Sequence, residues 1–291
     1  MLKEYFKLFR IPQWIKNLFV FVPLLFSQNL LKSNLFLITL FAFIVFSLTS
    51  SLVYIINDIV DVEADRAHPQ KKSRPLASGK ISIGSARISA LVFAILIIVS
   101  LFFLNYHFAL VAAAYLILNI FYSFVLKHVV LLDIFSIAAG FMLRVLAGAF
   151  VINVEISSWL ILTTMFISLF LGVMKRRTEL ALSEHDDIAA TRKVLVFYSK
   201  EFTDQMATVA AAAVIICYAL YTVASRTVTV FGTENLIYTT PFVVFGIFRY
   251  MYLVYMNKQG ENTTEVLIKD LPMIINIILY VLVTSFIIYF R

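Results

Sequence analysis

Residues 35–56 carry no charge, and the chain then reads Asn57-Asp58-Ile59-Val60-Asp61-Val62-Glu63-Ala64-Asp65-Arg66. Asn57, Asp61 and Asp65 recur every four residues, which on a helix stacks them on one face. An amide oxygen and two carboxylates in one stripe make a hard-oxygen set suited to Mg²⁺. That ion takes few protein carboxylates and completes its coordination with water and substrate phosphate. Asp58, three residues before Asp61, is placed to serve a second ion or to support the first. Cations follow at Arg66, Lys71, Lys72, Arg74 and Lys80. Carboxylates flanked by cations suit a Mg²⁺-diphosphate, and the guanidinium fork of Arg74 is shaped for phosphate oxygens. A solvated helix end is the plainer reading, but charge this close to hydrocarbon is costly and usually marks a functional site.

The composition says what must position that stripe. Of 291 residues, 62% are hydrophobic and 14% charged, with a mean hydropathy of +0.93. Soluble domains run at roughly 45–50% apolar residues, so the expected class is all-α: a polytopic membrane bundle of about nine transmembrane helices, one domain over 1–291. Apolar runs of near-spanning length fall at about 17–31, 35–57, 83–104, 107–126, 130–152, 157–174, 204–224, 236–257 and 271–290. The amphipathic segment 1–10 suits the membrane interface. Lys and Arg gather at the N-terminus and in the connections after spans two, four, six and eight, with little opposite beyond Lys32, Arg226 and Arg291. That asymmetry predicts a cell-membrane protein whose N-terminus and acidic stripe face the cytoplasm. It also accounts for the net charge of +7 without nucleic acid, for which no motif is present.

Two connections on that side are long, 58–82 and 175–203; both are expected to be ordered caps over a cavity. The stretch from Glu265 to Asp270 is a candidate lid helix. The single Cys217 leaves no disulfide framework or cysteine metal site within one chain, and the four histidines show no ligand spacing. No cleavable leader is expected, because Arg10 to Lys16 interrupts the first apolar run and no A-x-A site follows.

Further polar residues stand out against this apolar background. Arg144 falls inside span five and must face the bundle interior; a pair with Asp133 or a contact to substrate phosphate are the roles open to it. Tyr122 and Lys127 bound the end of span four, as interfacial anchors or, for Lys127 with Asp133, as a pair at the cavity rim. Lys175, Arg176 and Glu179 end span six, as membrane anchors or as part of the site. Lys16 and Asn17 open span one, where an anchoring Lys is ordinary.

Segment 57–80, NDIVDVEADRAHPQKKSRPLASGK, resembles the UbiA superfamily of intramembrane transferases in its N-D-x-x-D-x-x-x-D motif and in Arg74-Pro75-Leu76-Ala77-Ser78-Gly79. The resemblance extends to its polyprenyl-phosphate phosphoribosyltransferase subgroup through Gln13-Trp14-Ile15-Lys16-Asn17, Tyr122-Ser123, Leu126-Lys127-His128, Leu132-Asp133-Ile134, Gly140-Phe141-Met142-Leu143-Arg144 and Lys175-Arg176-Arg177-Thr178-Glu179-Leu180. It implies the nine-helix fold and phosphate-binding roles for Lys16 and Asn17. One departure matters. Where the prenyltransferases of the superfamily carry a second D-x-x-x-D motif, this chain has Lys175-Arg176-Arg177-Thr178-Glu179. A cationic cluster there favours a substrate with more phosphate than a prenyl diphosphate.

The resemblance thus implies transfer of 5-phosphoribosyl from phosphoribosyl pyrophosphate (PRPP) to a polyprenyl phosphate lipid in the bilayer. Asn57, Asp61 and Asp65 would hold Mg²⁺; Asp58, Asp61, Asp65 and Lys175 would be catalytic. Lys16, Asn17, Arg66, Lys71, Arg74, Tyr122, Lys127, Arg144, Arg176 and Glu179 would bind substrate. A homo-oligomer is compatible with the sequence. The competing readings are a prenyltransferase acting on an aromatic acceptor, which the missing second acidic motif opposes, and a transporter. A transporter predicts internal repeats and broken midplane helices, and the sequence shows neither.

Overall fold

A computed structural model describes residues 2–67, 71–183, 193–256 and 269–290, with no strand among them. The chain opens with α1 (Leu2–Leu8) and the apolar α2 (Ile11–Phe26). Among the described residues, eight helices are long and apolar enough to cross a bilayer. They are α3 (Ser33–Val60), α5 (Ile83–Leu101), α6 (Tyr106–Phe124), α7 (Leu132–Val151), α8 (Ser158–Ser183), α9 (Lys200–Val223), α11 (Asn235–Tyr255) and α12 (Leu271–Tyr289). The short helices α4 (Val62–Ala67) and α10 (Ser225–Phe231) lie between them. This is a multi-pass membrane protein.

The span expected at 17–31 is instead the shorter α2, which begins at Ile11. Its winding explains the difference. Ile11–Phe21 is a 3-10 helix and only Val22–Phe26 is α-helical. A 3-10 helix repeats every three residues, so Trp14, Asn17 and Val20 share one face. Trp14 donates to Ser51 at 3.0 Å and Asn17 donates to Ser47 and Ser50 at 3.0 and 3.2 Å. Val20 packs against α7 at Gly148, where an added Cβ would sit 2.0 Å from the Val20 carbonyl oxygen. Gly148→Ala is therefore expected to push α2 off α7. A loss of about 1–3 kcal/mol would appear as a lowered Tm in detergent.

Span six also departs from its expected end at 174. α8 runs on to Ser183, since Lys, Arg, Glu, Leu and Ala are all good helix formers. Lys175, Arg176 and Glu179 are thus helical residues rather than the start of a loop. Glu184, Asp186 and Asp187, the middle of the expected second cap, lie outside the described residues, as does Glu265 of the candidate lid.

Two apolar cores fill the bundle. One joins α2, α3, α6 and α7 around Phe46, Phe108 and Tyr115; the other joins α8, α9, α11 and α12 around Phe170, Tyr250 and Met174. α7 reaches the second core as well, through Ile134, which sits close against Gly172 of α8. By contrast α5 buries only Ala86 and Ile97, and its exposed Ile88, Leu91, Ile95 and Ile98 suit contact with lipid. Side chains of Ser82, Asn105, Ser199 and Asp270 cap the first turns of α5, α6, α9 and α12, each cap being typically worth about 1 kcal/mol.

Segment 58–82 is ordered where described. α3 closes on Asp61, and α4 resumes at Val62, but the hydrogen bonds Asp61 N to Asn57 O (2.9 Å) and Asp65 N to Asp61 O (2.8 Å) bridge the joint. The four-residue repeat of the acidic stripe therefore survives it. Downstream, Leu76 and Ile81 pack under the segment with Leu8, Ile55, Val62 and Ala86.

Candidate active site at the acidic end of the bundle

The ends of α3, α6 and α8 and the starts of α7 and α9 meet at one end of the bundle, and the charged side chains gather there. Asn57 accepts a 2.7 Å hydrogen bond from Ser123 of α6. Asp58 is buried and takes Arg10 at 2.7 Å and Arg74 at 3.2 Å. Arg74 also reaches buried Asp65 at 2.6 Å. Asp61 is the open member: its side chain is 40% exposed, with the Lys127 ammonium 3.9 Å away. The stripe thus divides. Asp58 and Asp65 are tied down by guanidinium groups, whereas Asn57 and Asp61 keep oxygen lone pairs available. The expected Lys127–Asp133 pair is replaced by Lys127–Asp61. Arg66 points to solvent with Glu63 at 2.8 Å, away from the stripe, and Lys71 is half-buried in the 3-10 turn Lys71–Ser73.

Beside this lies a second charged group. Arg176 is fully buried and bonds Asp133, also fully buried, and Glu179. Its remaining NH₂ group points at the Tyr122 hydroxyl, 3.4 Å away. Tyr198 donates to the other Asp133 oxygen at 2.8 Å and accepts from the Leu131 amide at 2.8 Å. Burial, reinforced by the Asp133 carboxylate, pushes the Tyr198 phenol well above its ordinary value. It therefore stays a donor. Leu131 holds φ at 67°, a strained conformation for a non-glycine residue, two residues ahead of Asp133. Arg176 is thus engaged by protein carboxylates rather than turned toward a cavity. Lys175, its neighbour, is half-buried on the same helix.

The third group runs deeper. Arg144 is buried and donates to Asn17 Oδ1 (2.7 Å), the Gly140 carbonyl (2.8 Å) and the Tyr115 hydroxyl (3.0 Å). The rings of Tyr115, Phe141 and Phe46 surround it at 4.9–5.6 Å. The Arg144–Asp133 pair weighed from sequence does not form. Eleven residues along one helix separate the two by roughly 16 Å, and Asp133 is taken by Arg176.

Sequence reasoning missed several members of the site. Arg10 holds Asp58, and its φ of 52° turns the chain from α1 into α2. Tyr115 and the hydroxyls of Ser47, Ser50 and Ser51 anchor the deep group. The cluster Ser47-Leu48-Thr49-Ser50-Ser51 inside an otherwise apolar span was a readable signal for the latter. A cavity of about 350 Å³ at the opposite end, beside the Glu155–Arg226 pair, is remote from all three groups.

The model of the UbiA prenyltransferase family matches residues 18–270. The chain belongs to the UbiA family. Among its relatives is the decaprenyl-phosphate phosphoribosyltransferase of Mycolicibacterium smegmatis, 37% identical over 219 residues, covering 74% of this chain and 69% of that protein. The enzyme of the same name from Mycobacterium tuberculosis (strain H37Rv) is 35% identical over 225 residues, covering 74% and 72%. The UbiA fold is equally plain. A UbiA homolog from Archaeoglobus fulgidus, solved bound to GPP and Mg²⁺, superposes with a TM-score of 0.73 at 17% identity, covering 98% of this chain and 99% of that one.

The donor set suits a divalent cation of the Mg²⁺ type. Among the described residues no three acidic, histidine or cysteine side chains converge. An amide and an open carboxylate one turn apart, as Asn57 and Asp61 stand, match an ion that relies on substrate phosphate for its other ligands.

Proposed function

We propose that this UbiA-family protein transfers the 5-phosphoribosyl group of PRPP to the phosphate of a polyprenyl lipid, releasing pyrophosphate. The observation that carries the reading is the fate of the second acidic motif. Its place is held by Lys175-Arg176, and the carboxylates nearby, Asp133 and Glu179, are both spent on Arg176. With both carboxylates engaged by Arg176, the described residues there offer a second metal for a prenyl diphosphate little to bind. The identity to enzymes named decaprenyl-phosphate phosphoribosyltransferase points the same way.

In the reaction the C1–O bond to pyrophosphate breaks with its electron pair leaving on oxygen, and a lipid phosphate oxygen bonds to C1. Mg²⁺, when bound, neutralises charge on the departing pyrophosphate. Asn57 and Asp61 would hold it, with Asp65 within one further turn. Ser123 orients Asn57 by its 2.7 Å bond, and Arg74 fixes Asp58 and Asp65 so that the stripe keeps its shape. Lys127 beside Asp61, with Lys71 and Lys175, supplies cations for phosphate oxygens. The acceptor is already an anion, so no strong general base is required. The positive-inside asymmetry of the connections supports a cytoplasmic position for this end, where water-soluble PRPP is found and where a lipid phosphate reaches the bilayer surface.

The test is transfer of label from PRPP into the organic phase by purified protein with Mg²⁺ and polyprenyl phosphate. Label should move only when all three are present. Transfer that instead requires a prenyl diphosphate and an aromatic acid would replace this reading with the prenyltransferase one.

A further inference from the structure

At the end of the bundle opposite the acidic stripe, α7 stops at Val151, α8 starts at Ser158 and α9 stops at Val223. The cavity of about 350 Å³ lies among these ends, walled by the turn after α2, segment 154–157, the last turn of α9 and α10. Its place at the ends of three spans puts it at the depth where hydrocarbon gives way to lipid headgroups. The transfer reaction proposed above makes no use of it.

The lining is of two kinds. Phe26, Leu160 and Phe231 supply an apolar part. Set against them are three polar side chains more than nine-tenths buried: Tyr221 (3% exposed), Thr227 (4%) and Asn29 (8%). The hydroxyls of Tyr221 and Thr227 make no hydrogen bond among the described residues. Asn29 donates its Nδ2 to Ser27 at 2.9 Å, and its Oδ1 receives no donor among the described residues. Buried polar groups are almost always hydrogen-bonded, so three unmet ones on one cavity call for polar atoms inside it. At its rim Arg226 and Glu155 pair at 2.9 Å, but they are 52% and 87% exposed. Such a pair contributes little to stability and opens readily to other partners.

The donors and acceptors are also segregated. Tyr221, Arg226 and Thr227, on α9 and α10, offer hydrogens to an anion. Asn29 Oδ1 and the Glu155 carboxylate, on the two turns, accept from a cation. The Asn29 turn is fixed in advance by Tyr289 of α12, which accepts from Leu30 N and donates to Leu25 O, both at 3.0 Å. A wholly polar ligand would leave Phe26, Leu160 and Phe231 against water, and a wholly apolar one would leave the hydroxyls unpaired. An amphiphile with a zwitterionic head satisfies both halves.

We propose that this cavity binds phosphatidylethanolamine from the leaflet opposite the acidic end. The phosphodiester faces Arg226, Tyr221 and Thr227, the ammonium faces Glu155 and Asn29, and the first methylenes lie on Phe26, Leu160 and Phe231. One cation and one anion at the rim match a zwitterion. An anionic lipid would leave Glu155 unmatched, and the trimethylammonium of phosphatidylcholine has no N–H to give to Glu155 or Asn29.

The experiment reads binding without turnover, so its result is independent of the reaction at the other end. Delipidated full-length protein in detergent is titrated with phosphatidylethanolamine, phosphatidylcholine and phosphatidylglycerol of identical acyl chains. Tm is followed, and retained lipid is counted by native mass spectrometry. A ligand of the folded state raises Tm, and phosphatidylethanolamine should do so at the lowest concentration. Glu155→Gln should weaken it about tenfold and leave phosphatidylcholine unchanged. The double variant Tyr221→Phe, Thr227→Val should weaken both, because both carry the phosphodiester. Neither variant should melt lower than the wild type without lipid, since Glu155 is exposed and the two hydroxyls are unpaired. Equal stabilisation by all three lipids, or phosphatidylethanolamine affinity unchanged in both variants, would mean bulk-lipid contact around a water-filled cavity and overturn the site. Preference for phosphatidylglycerol would overturn the zwitterion assignment.

Discussion

Asp61→Asn should lower kcat by about 10²–10³-fold while leaving the melting temperature within a degree or two of the wild type. The geometry separates the two quantities. Asp61 is 40% exposed and its nearest cation, Lys127, stands at 3.9 Å. Partly exposed pairs of that kind contribute little to stability, about 0–1 kcal/mol. Removing the charge therefore costs the fold almost nothing and removes the one unencumbered carboxylate of the stripe. Asp58→Asn should show the reverse balance. Asp58 is buried against Arg10 and Arg74 at 2.7 and 3.2 Å, so its loss leaves two guanidinium groups short of an anion and loosens α1, α2 and segment 58–82 together. Transfer assays over a Mg²⁺ titration, with Tm for both variants, check the pair. For Asp61→Asn, the Mg²⁺ needed for half-maximal rate should rise. Full activity in Asp61→Asn at ordinary Mg²⁺ would remove the stripe from the chemistry.

How far the sequence went differs between fold and site, for physical reasons. Membrane spans are legible because every helix in hydrocarbon satisfies its own backbone, so an apolar run of sufficient length has few alternatives. Eight of the expected runs correspond to helices of spanning length. The run at 17–31 was misplaced because its winding is 3-10, a choice dictated by Trp14, Asn17 and Val20 needing one shared face against α3 and α7. Within the site, the stripe of Asn57, Asp61 and Asp65 was visible as a local repeat. Pairing was not visible. Nothing local tells Asp133 to choose Arg176 from forty-three residues downstream rather than Arg144 or Lys127, because that choice is made by where Gly172 lets α8 approach α7. Arg10 escaped notice for the same reason: its partner Asp58 lies forty-eight residues away. It reads as an interfacial cation until the chain doubles back.

The end of α6 ties these groups into one unit. Ser123 reaches Asn57, Lys127 stands at Asp61, and Tyr122 faces Arg176. Three residues within a turn and a half thereby connect the stripe on α3 to the buried pair on α7 and α8. A shift of α8 relative to α7 would be felt at Asn57 through Tyr122 and Ser123. The site consequently depends on the packing of both cores, although Asn57 and Asp61, the proposed metal ligands, both lie at the end of α3.

That dependence sets the outcome expected for Arg176→Met. Both Arg176 and Asp133 are fully buried, and removing one member of such a pair strands the other, typically at a cost of about 3–5 kcal/mol. Among the described residues Tyr198 would remain as a hydrogen-bond donor to Asp133, and Glu179 would lose its bond to Arg176. We expect a large fall in Tm, and loss of activity that follows the fold rather than a changed KM. The double variant Arg176→Met, Asp133→Leu should recover much of the stability, since replacing a buried ion pair with apolar side chains of similar volume is often neutral or better. Its activity decides what the pair is for. Recovery of stability with activity would make Arg176 a packing device that happens to be charged. Recovery of stability without activity would show that Asp133 and Arg176 hold Tyr122 and the end of α6 in the register that Asn57 and Asp61 require, a positioning role that the 3.4 Å approach of Arg176 to Tyr122 makes the expected result.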